Sequence, residues 1–248
     1  MTTIGPLDID LIVPARDEQA NIGALLGALP TGLLRHVVVV NNGSADQTAE
    51  LARTGGAIVV DEPRRGYGWA CLAGLDWIKS QASPPIAVAF MDADLSDKPE
   101  QLRHLCEPIR RGKADLVLGS RTAKADPGAL TPHQRLGNQL ACILLRWTTG
   151  RHYGDLPPMR VINWKCLQAL QMSDQTWGWT VEMQFKAACA GVKILEIDVP
   201  YRPRHAGRSK ISGSAWGSVR AGWKILITIM GLWISTRRSQ WISDEVSA

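Results

Sequence analysis

Phenylalanine is nearly absent from this chain: two residues against ten tryptophans in 248. There is no C-x-x-C pair. The five cysteines, Cys71, Cys106, Cys142, Cys166 and Cys189, are widely spaced among apolar neighbours, which excludes a disulfide scaffold and predicts reduced, buried thiols in a cytoplasmic protein. No His/Cys spacing suits zinc, and the five histidines form no Ser–His–Asp arrangement. The N-terminus lacks a basic segment followed by a long apolar stretch, so no signal peptide is expected. The longest apolar run, Ile225 to Ile234, is too short to span a bilayer. The net charge of +5 favours anionic ligands, but no dense Lys/Arg tract is present, so nucleic acid is not an expected partner.

What is present is a rhythm. Short apolar runs, "IDLIVPA", "HVVVV", "AIVVDE", "IAVAFMDAD" and "ADLVLGSR", alternate with helical segments up to about residue 120. The first helix places Ile22, Leu25, Leu26 and Leu29 on one face. Near-continuous apolar strands separated by helices predict an α/β fold whose mostly parallel central sheet is covered on both faces. Such sheets bind ligands beyond the carboxyl ends of their strands. Beyond Arg121 the spacing predicts a loop over 122–133, a long helix over 134–150, a turn-rich segment "GDLPPMRVI", a helix over 178–191 and a strand over 192–202. A basic loop and a C-terminal amphipathic helix follow, giving a catalytic domain over 1–213 and a helical tail over 214–248.

The fourth strand ends in acid: "IAVAFMDADLSDKPE" places Asp92 and Asp94 on either side of Ala93. Two carboxylates at a strand end suit a hard divalent cation, Mg²⁺ or Mn²⁺, which bridges carboxylates to substrate phosphates. Helix capping would be an alternative role for them. Asp97, with Pro99 and Glu100 behind it, is the better expected cap of the next helix. The first strand ends with Pro14, Arg16 and Glu18, and the second with Asn41, Asn42, Gly43 and Ser44, on the same sheet edge. "NNGSAD" is equally readable as a turn and N-cap. Arg202, Arg204, His205, Arg208 and Lys210 fall within nine residues, a cationic loop able to close on a diphosphate.

The ordered set "VPARDEQANI", "VVVVNNGSADQTAE", "GYGWACLAG", "MDADLSDKPE", "GSR", "DLPPMRVI" and "GWTVEMQFKAACAG…PRHAGRSKISGS" resembles the family-2 inverting glycosyltransferases of the GT-A (Rossmann-like) fold. Within them it is most similar to the dolichol-phosphate mannosyltransferase and polyprenyl-phosphate branch. The resemblance covers roughly residues 8 to 215. It implies that Pro14, Arg16, Glu18 and one of Asn41 and Asn42 border the nucleotide of a donor sugar. It implies that Asp92, Ala93 and Asp94 hold the diphosphate and metal, with Ser96 as a further candidate ligand. Arg121 and Arg135 would hold an acceptor phosphate. Glu182 would lie near the sugar, and Arg204, Ser209 and Lys210 would close over the diphosphate. Asp94, Glu182, Arg121 and Arg204 are the implied catalytic set.

Two departures stand out. The family's usual Asp-Asp is Asn41-Asn42 here, and its usual Gly-Phe is Pro158-Met159, while Asp155 and Arg160 remain.

The reading is an inverting hexosyltransferase that moves a sugar from a UDP- or GDP-sugar to a polyprenyl phosphate. A phosphate acceptor is already anionic, so the lack of a well-placed histidine base fits. Trp216, Trp223, Trp233 and Trp241, with Arg220, Lys224, Arg237 and Arg238, suit either a membrane interface or a helix packed on protein. Expected partners are therefore the nucleotide-sugar, a lipid phosphate and the inner face of the membrane, with a second copy of the chain kept open. A soluble acceptor, or a non-catalytic nucleotide-sugar binder, is the rival reading.

Overall fold

The computed structural model describes residues 8–206 and 222–236. The elements in chain order are β1 (Ile9–Ala15), α1 (Gln19–Ala28), β2 (His36–Asn41), α2 (Thr48–Thr54), β3 (Ile58–Asp61), α3 (Tyr67–Lys79), β4 (Ala87–Phe90), α4 (Leu102–Arg110), β5 (Leu116–Ser120), α5 (Pro132–Thr149), β6 (Arg160–Asn163), α6 (Trp164–Leu170), α7 (Trp179–Cys189) and β7 (Ile194–Asp198). Residues 222–236 form a further helical segment, α8. The expected boundary between residues 213 and 214 lies outside the described residues, as do Ser209 and Lys210.

The seven strands form one sheet in the order β3-β2-β1-β4-β6-β5-β7. Every pairing is parallel except those of β6, which runs antiparallel to both β4 and β5. Alternation along a strand divides the core into two layers. In β1, Leu11, Val13 and Ala15 face the layer that holds α1 and α4, while Ile12 faces the layer that holds α3 and α5–α7.

Three expectations need correction. "GDLPPMRVI" is not only turns: its last residues form β6 in the middle of the sheet. Two prolines and an arginine hide a four-residue strand from any pattern count. Arg160 is nonetheless fully buried, its guanidinium donating to Thr180 O and Pro157 O. Asp97 does not cap the following helical turn. Lys98 takes the cap position without a side-chain bond, and Asp97 turns inward instead. The thiols are not uniformly buried: Cys71, Cys106 and Cys142 are, Cys166 partly so, and Cys189 is exposed.

Helix α5 starts and stops where its termini are chemically satisfied. Thr131 and Gln134 form a reciprocal capping box, Pro132 sits in the first turn, and Gly150 closes the helix at φ 75°. Helix α3 begins against the 174–176 turn. Gly68 N donates to Thr176 O and Trp69 N to Gln175 O, both at 3.0 Å. A Cβ on Gly68 would stand 2.0 Å from Asp174 O. Backbone cannot yield as a side-chain tip can, so Gly68→Ala is expected to cost about 2–3 kcal/mol, read as a lower urea midpoint; an unchanged midpoint would mean that the turn shifts freely.

Candidate active site

The carboxyl ends of β1, β2 and β4 meet at one edge of the sheet, and a cleft of about 940 Å³ opens above them. Pro14, Arg16 and Glu18 line it from the end of β1, and Asn42 from the end of β2. Asp92, Ala93, Asp94 and Ser96 line it from the loop after β4. Arg121, Arg135 and Arg204 line it from the ends of β5, α5 and the chain beyond β7. Most of the residues expected at the site are thus gathered around a single cavity.

The acidic loop and the start of the basic loop are laced together by backbone. His205 N donates to Asp94 O at 3.2 Å, Arg202 N to Ser96 O at 3.0 Å, and Asp97 and Tyr201 form a β-bridge. This lacing brings Arg204 between two carboxylates: Nη1 lies 2.7 Å from Glu18 Oε1 and Nη2 lies 2.9 Å from Asp94 Oδ2. The other Asp94 oxygen accepts from Ser96 N at 2.9 Å. Burial works against the Arg204 charge, but Asp94 and Glu18 hold the guanidinium protonated above its usual range.

Asp92 is in the opposite condition. Burial and the neighbouring Asp94 carboxylate push its pKa up to about 7. The phenol of Tyr67 stands beside it and is itself raised by burial and by that carboxylate. Asp97 lies deeper. Neither of its oxygens meets a hydrogen-bond donor among the described residues, and burial, with Asp92 next, raises its pKa well above the ordinary range. The floor of the cleft is therefore crowded with carboxyl groups that repel one another.

A hard divalent cation fits this donor set, since it needs one or two carboxylates and takes its remaining ligands from phosphate and water. The described residues offer no group of three or more His, Cys, Asp or Glu placed to hold a metal. A ligand's own oxygens would have to complete the shell.

The cationic wall is fixed from behind. Arg121 donates through Nε and Nη2 to the two oxygens of Asp155, each at 2.8 Å, and its backbone N adds a third bond to the same carboxylate. Asp155 is fully buried. Burial opposes the Arg121 charge, but these bonds hold it protonated above its ordinary value. The Tyr201 ring stacks on the guanidinium at 5.1 Å. Asp155 and Tyr201, which orient the arginine, were not among the expected site residues. Nothing in local sequence ties residue 121 to residue 155.

Asn41, Asn42 and Glu182 occupy places that the sequence does not reveal. Asn42 spends its amide on backbone: Nδ2 donates to Glu62 O and Arg64 O, and Oδ1 accepts from Gly66 N. It shapes the cleft by holding the β3–α3 loop. Asn41 is not among the cleft-lining residues. It pairs in register with Asp61 of β3, and its Nδ2 donates to that carboxylate at 2.7 Å. An aspartate at 41 would set like charges directly opposite, which accounts for the amide. Glu182 is also not among the cleft-lining residues. It is buried, accepts from Ser173 N, Ser173 Oγ and Asp174 N, and pairs with Lys186 at 2.7 Å, tying the 173–174 turn to α7.

Residues 10–171 match the model of the family described as glycosyl transferase family 2. An uncharacterised glycosyltransferase of Mycobacterium tuberculosis is 38% identical over 88% of this chain and 97% of its own length. An undecaprenyl-phosphate mannosyltransferase of Micrococcus luteus is 29% identical over 89% of this chain and 98% of its own. The crystal structure of glucosyl-3-phosphoglycerate synthase from M. tuberculosis, in complex with Mn²⁺, uridine diphosphate and phosphoglyceric acid, superposes with a TM-score of 0.72. It shares 20% identity and covers 91% of this chain and 78% of that one. The architecture is the GT-A arrangement.

Proposed function

Because the chain belongs to glycosyl transferase family 2, we propose that this cleft transfers a hexose, with inversion, from a UDP- or GDP-sugar to a polyprenyl phosphate. The observation that carries the reading is the gathering of two carboxylates, Asp92 and Asp94, and three arginines, Arg121, Arg135 and Arg204, around one cavity. The carboxylates with Arg204 suit a donor diphosphate and its cation, and Arg121 with Arg135 suits a second, phosphate-bearing molecule. The polyprenyl-phosphate acceptor is also supported by the name of the M. luteus relative.

Arg121 and Arg135 bind and orient the acceptor phosphate, whose oxygen attacks the anomeric carbon from the face opposite the diphosphate. As the new C–O bond forms, the bond to the diphosphate breaks, and the electron pair leaves with the nucleoside diphosphate. The attacking oxygen carries no proton, so no base is needed. Arg204 moves its charge from Asp94 and Glu18 toward the departing diphosphate. Asp92 and Asp94 would hold a divalent cation, Mg²⁺ or Mn²⁺, whose positive charge favours departure of the diphosphate.

The test is a donor screen with UDP- and GDP-sugars, Mn²⁺ and a polyprenyl phosphate in detergent, with a small phosphate ester as the parallel acceptor. Transfer to the polyprenyl phosphate with at least one donor is expected. Transfer to the small ester alone would move the reading to a soluble acceptor. Tight donor binding by calorimetry without any turnover would leave a non-catalytic binder.

A further inference from the structure

Among the described residues, seven of the ten exposed large hydrophobic ones lie on two helices. On α5 they are Leu136, Leu140, Ile143 and Trp147. The spacing of four, three and four puts them in one stripe along the helix. On α8 they are Trp223, Ile227 and Ile234, which share a face for the same reason. The opposite side of α8 is already used: Ile229 is fully buried, and Ile225, Leu232 and Trp233 pack against the core. Helix α8 is therefore apolar on both faces and satisfied on only one. Trp147 and Trp233 meet with ring centroids 5.1 Å apart, so the two helices pack side by side.

The two helices themselves carry charge of one sign, and Lys224 of α8 is paired with Asp174 at 3.1 Å. Neither Pro132–Thr149 nor residues 222–236 contain an aspartate or glutamate. Arg135 and Arg146 flank the α5 stripe and are exposed, and Arg220, Arg237 and Arg238 bracket α8 in the sequence. A two-fold copy of the chain would press this cation-only face against itself. An anionic lipid surface complements it, taking the apolar stripe and tryptophans at headgroup depth and the arginines beside them.

We propose that α5 and α8 together form a docking face for an anionic bilayer. The face is continuous with the cleft, because Ile143, exposed on the stripe, also lines the cavity with Arg135, Arg146 and Ile225. For the acceptor, and resting on the function proposed above, this continuity lets a polyprenyl tail stay in the bilayer while its phosphate reaches Arg135 and Arg121.

The test uses the full chain and sedimentation with phosphatidylcholine vesicles, with and without phosphatidylglycerol. Wild type should partition onto the anionic vesicles and be released by salt. Trp147→Glu and Ile227→Glu, neither of which lines the cleft, should each lower the partition coefficient about tenfold or more. Leu51→Glu, an exposed position on α2, should leave it unchanged, and circular dichroism melts confirm that the variants fold. Wild type that ignores anionic vesicles, or variants that bind as wild type does, would overturn the proposal. So would a solution dimer that Trp147→Glu splits in a protein that does not bind vesicles. Transfer in detergent without vesicle binding removes the docking face and keeps the acceptor; vesicle binding without transfer to any polyprenyl phosphate does the reverse.

Discussion

Asp94→Ala is expected to lower transfer by about a thousand-fold or more, roughly 4 kcal/mol of transition-state stabilisation. The residue lines the cleft, and its two oxygens are held by Ser96 N and by Arg204. Alanine removes one of the two carboxylates able to hold a cation and leaves Arg204 drawn to Glu18 alone. The fold should survive, because the lost contacts are at the cleft wall and not between the core layers. The measurement is release of nucleoside diphosphate with the donor that the screen identifies, paired with Mn²⁺ titration by electron paramagnetic resonance. Both turnover and cation affinity should fall. A variant with full turnover would remove Asp94, and with it the metal, from the mechanism.

Asp155→Ala should be the most damaging single change to stability, lowering unfolding free energy by about 3–5 kcal/mol. The carboxylate is fully buried and accepts from Arg121 N, Nε and Nη2 and from Leu156 N. Its loss leaves Arg121 N and Nε without their acceptor in a largely buried place, while Leu156 N keeps Asn138 Oδ1 and Arg121 Nη2 keeps Leu156 O. Domains of this size are stable by about 5–15 kcal/mol, so the urea midpoint should fall sharply. Asp155→Asn keeps the shape and one acceptor oxygen, and should fall between alanine and wild type. In that milder variant KM for the acceptor should rise more than KM for the donor, because Arg121 is the group set loose. Equal midpoints for all three proteins would show that the pair contributes nothing net.

The helices and strands up to Ser120 were legible because each is periodic and bounded by turn chemistry. The place of Asp92 and Asp94 at the cleft was legible because they directly follow a buried strand whose carboxyl end opens on it. Asp97 misled for a local reason: its spacing to Pro99 and Glu100 is that of a cap, and only packing shows that the side chain turns inward. Glu182 was expected near the sugar from the family resemblance alone; it does not line the cleft, and its carboxylate accepts from three donors in residues 173–174. Strand β6 was hidden because four residues containing an arginine carry too little alternation to count.

By itself the sequence determined the layered α/β plan, the edge of the sheet where the cleft opens and the acidic side of that cleft. These follow from contacts near in the chain: side-chain period, turn residues and strand ends. Tertiary structure decided the partners of those groups, Arg204 between Glu18 and Asp94, Arg121 on Asp155, Asn41 on Asp61, and the joining of α5 to α8. Each of these is a charge, amide or apolar face satisfied by a residue far away in the chain, and only the folded backbone sets that distance.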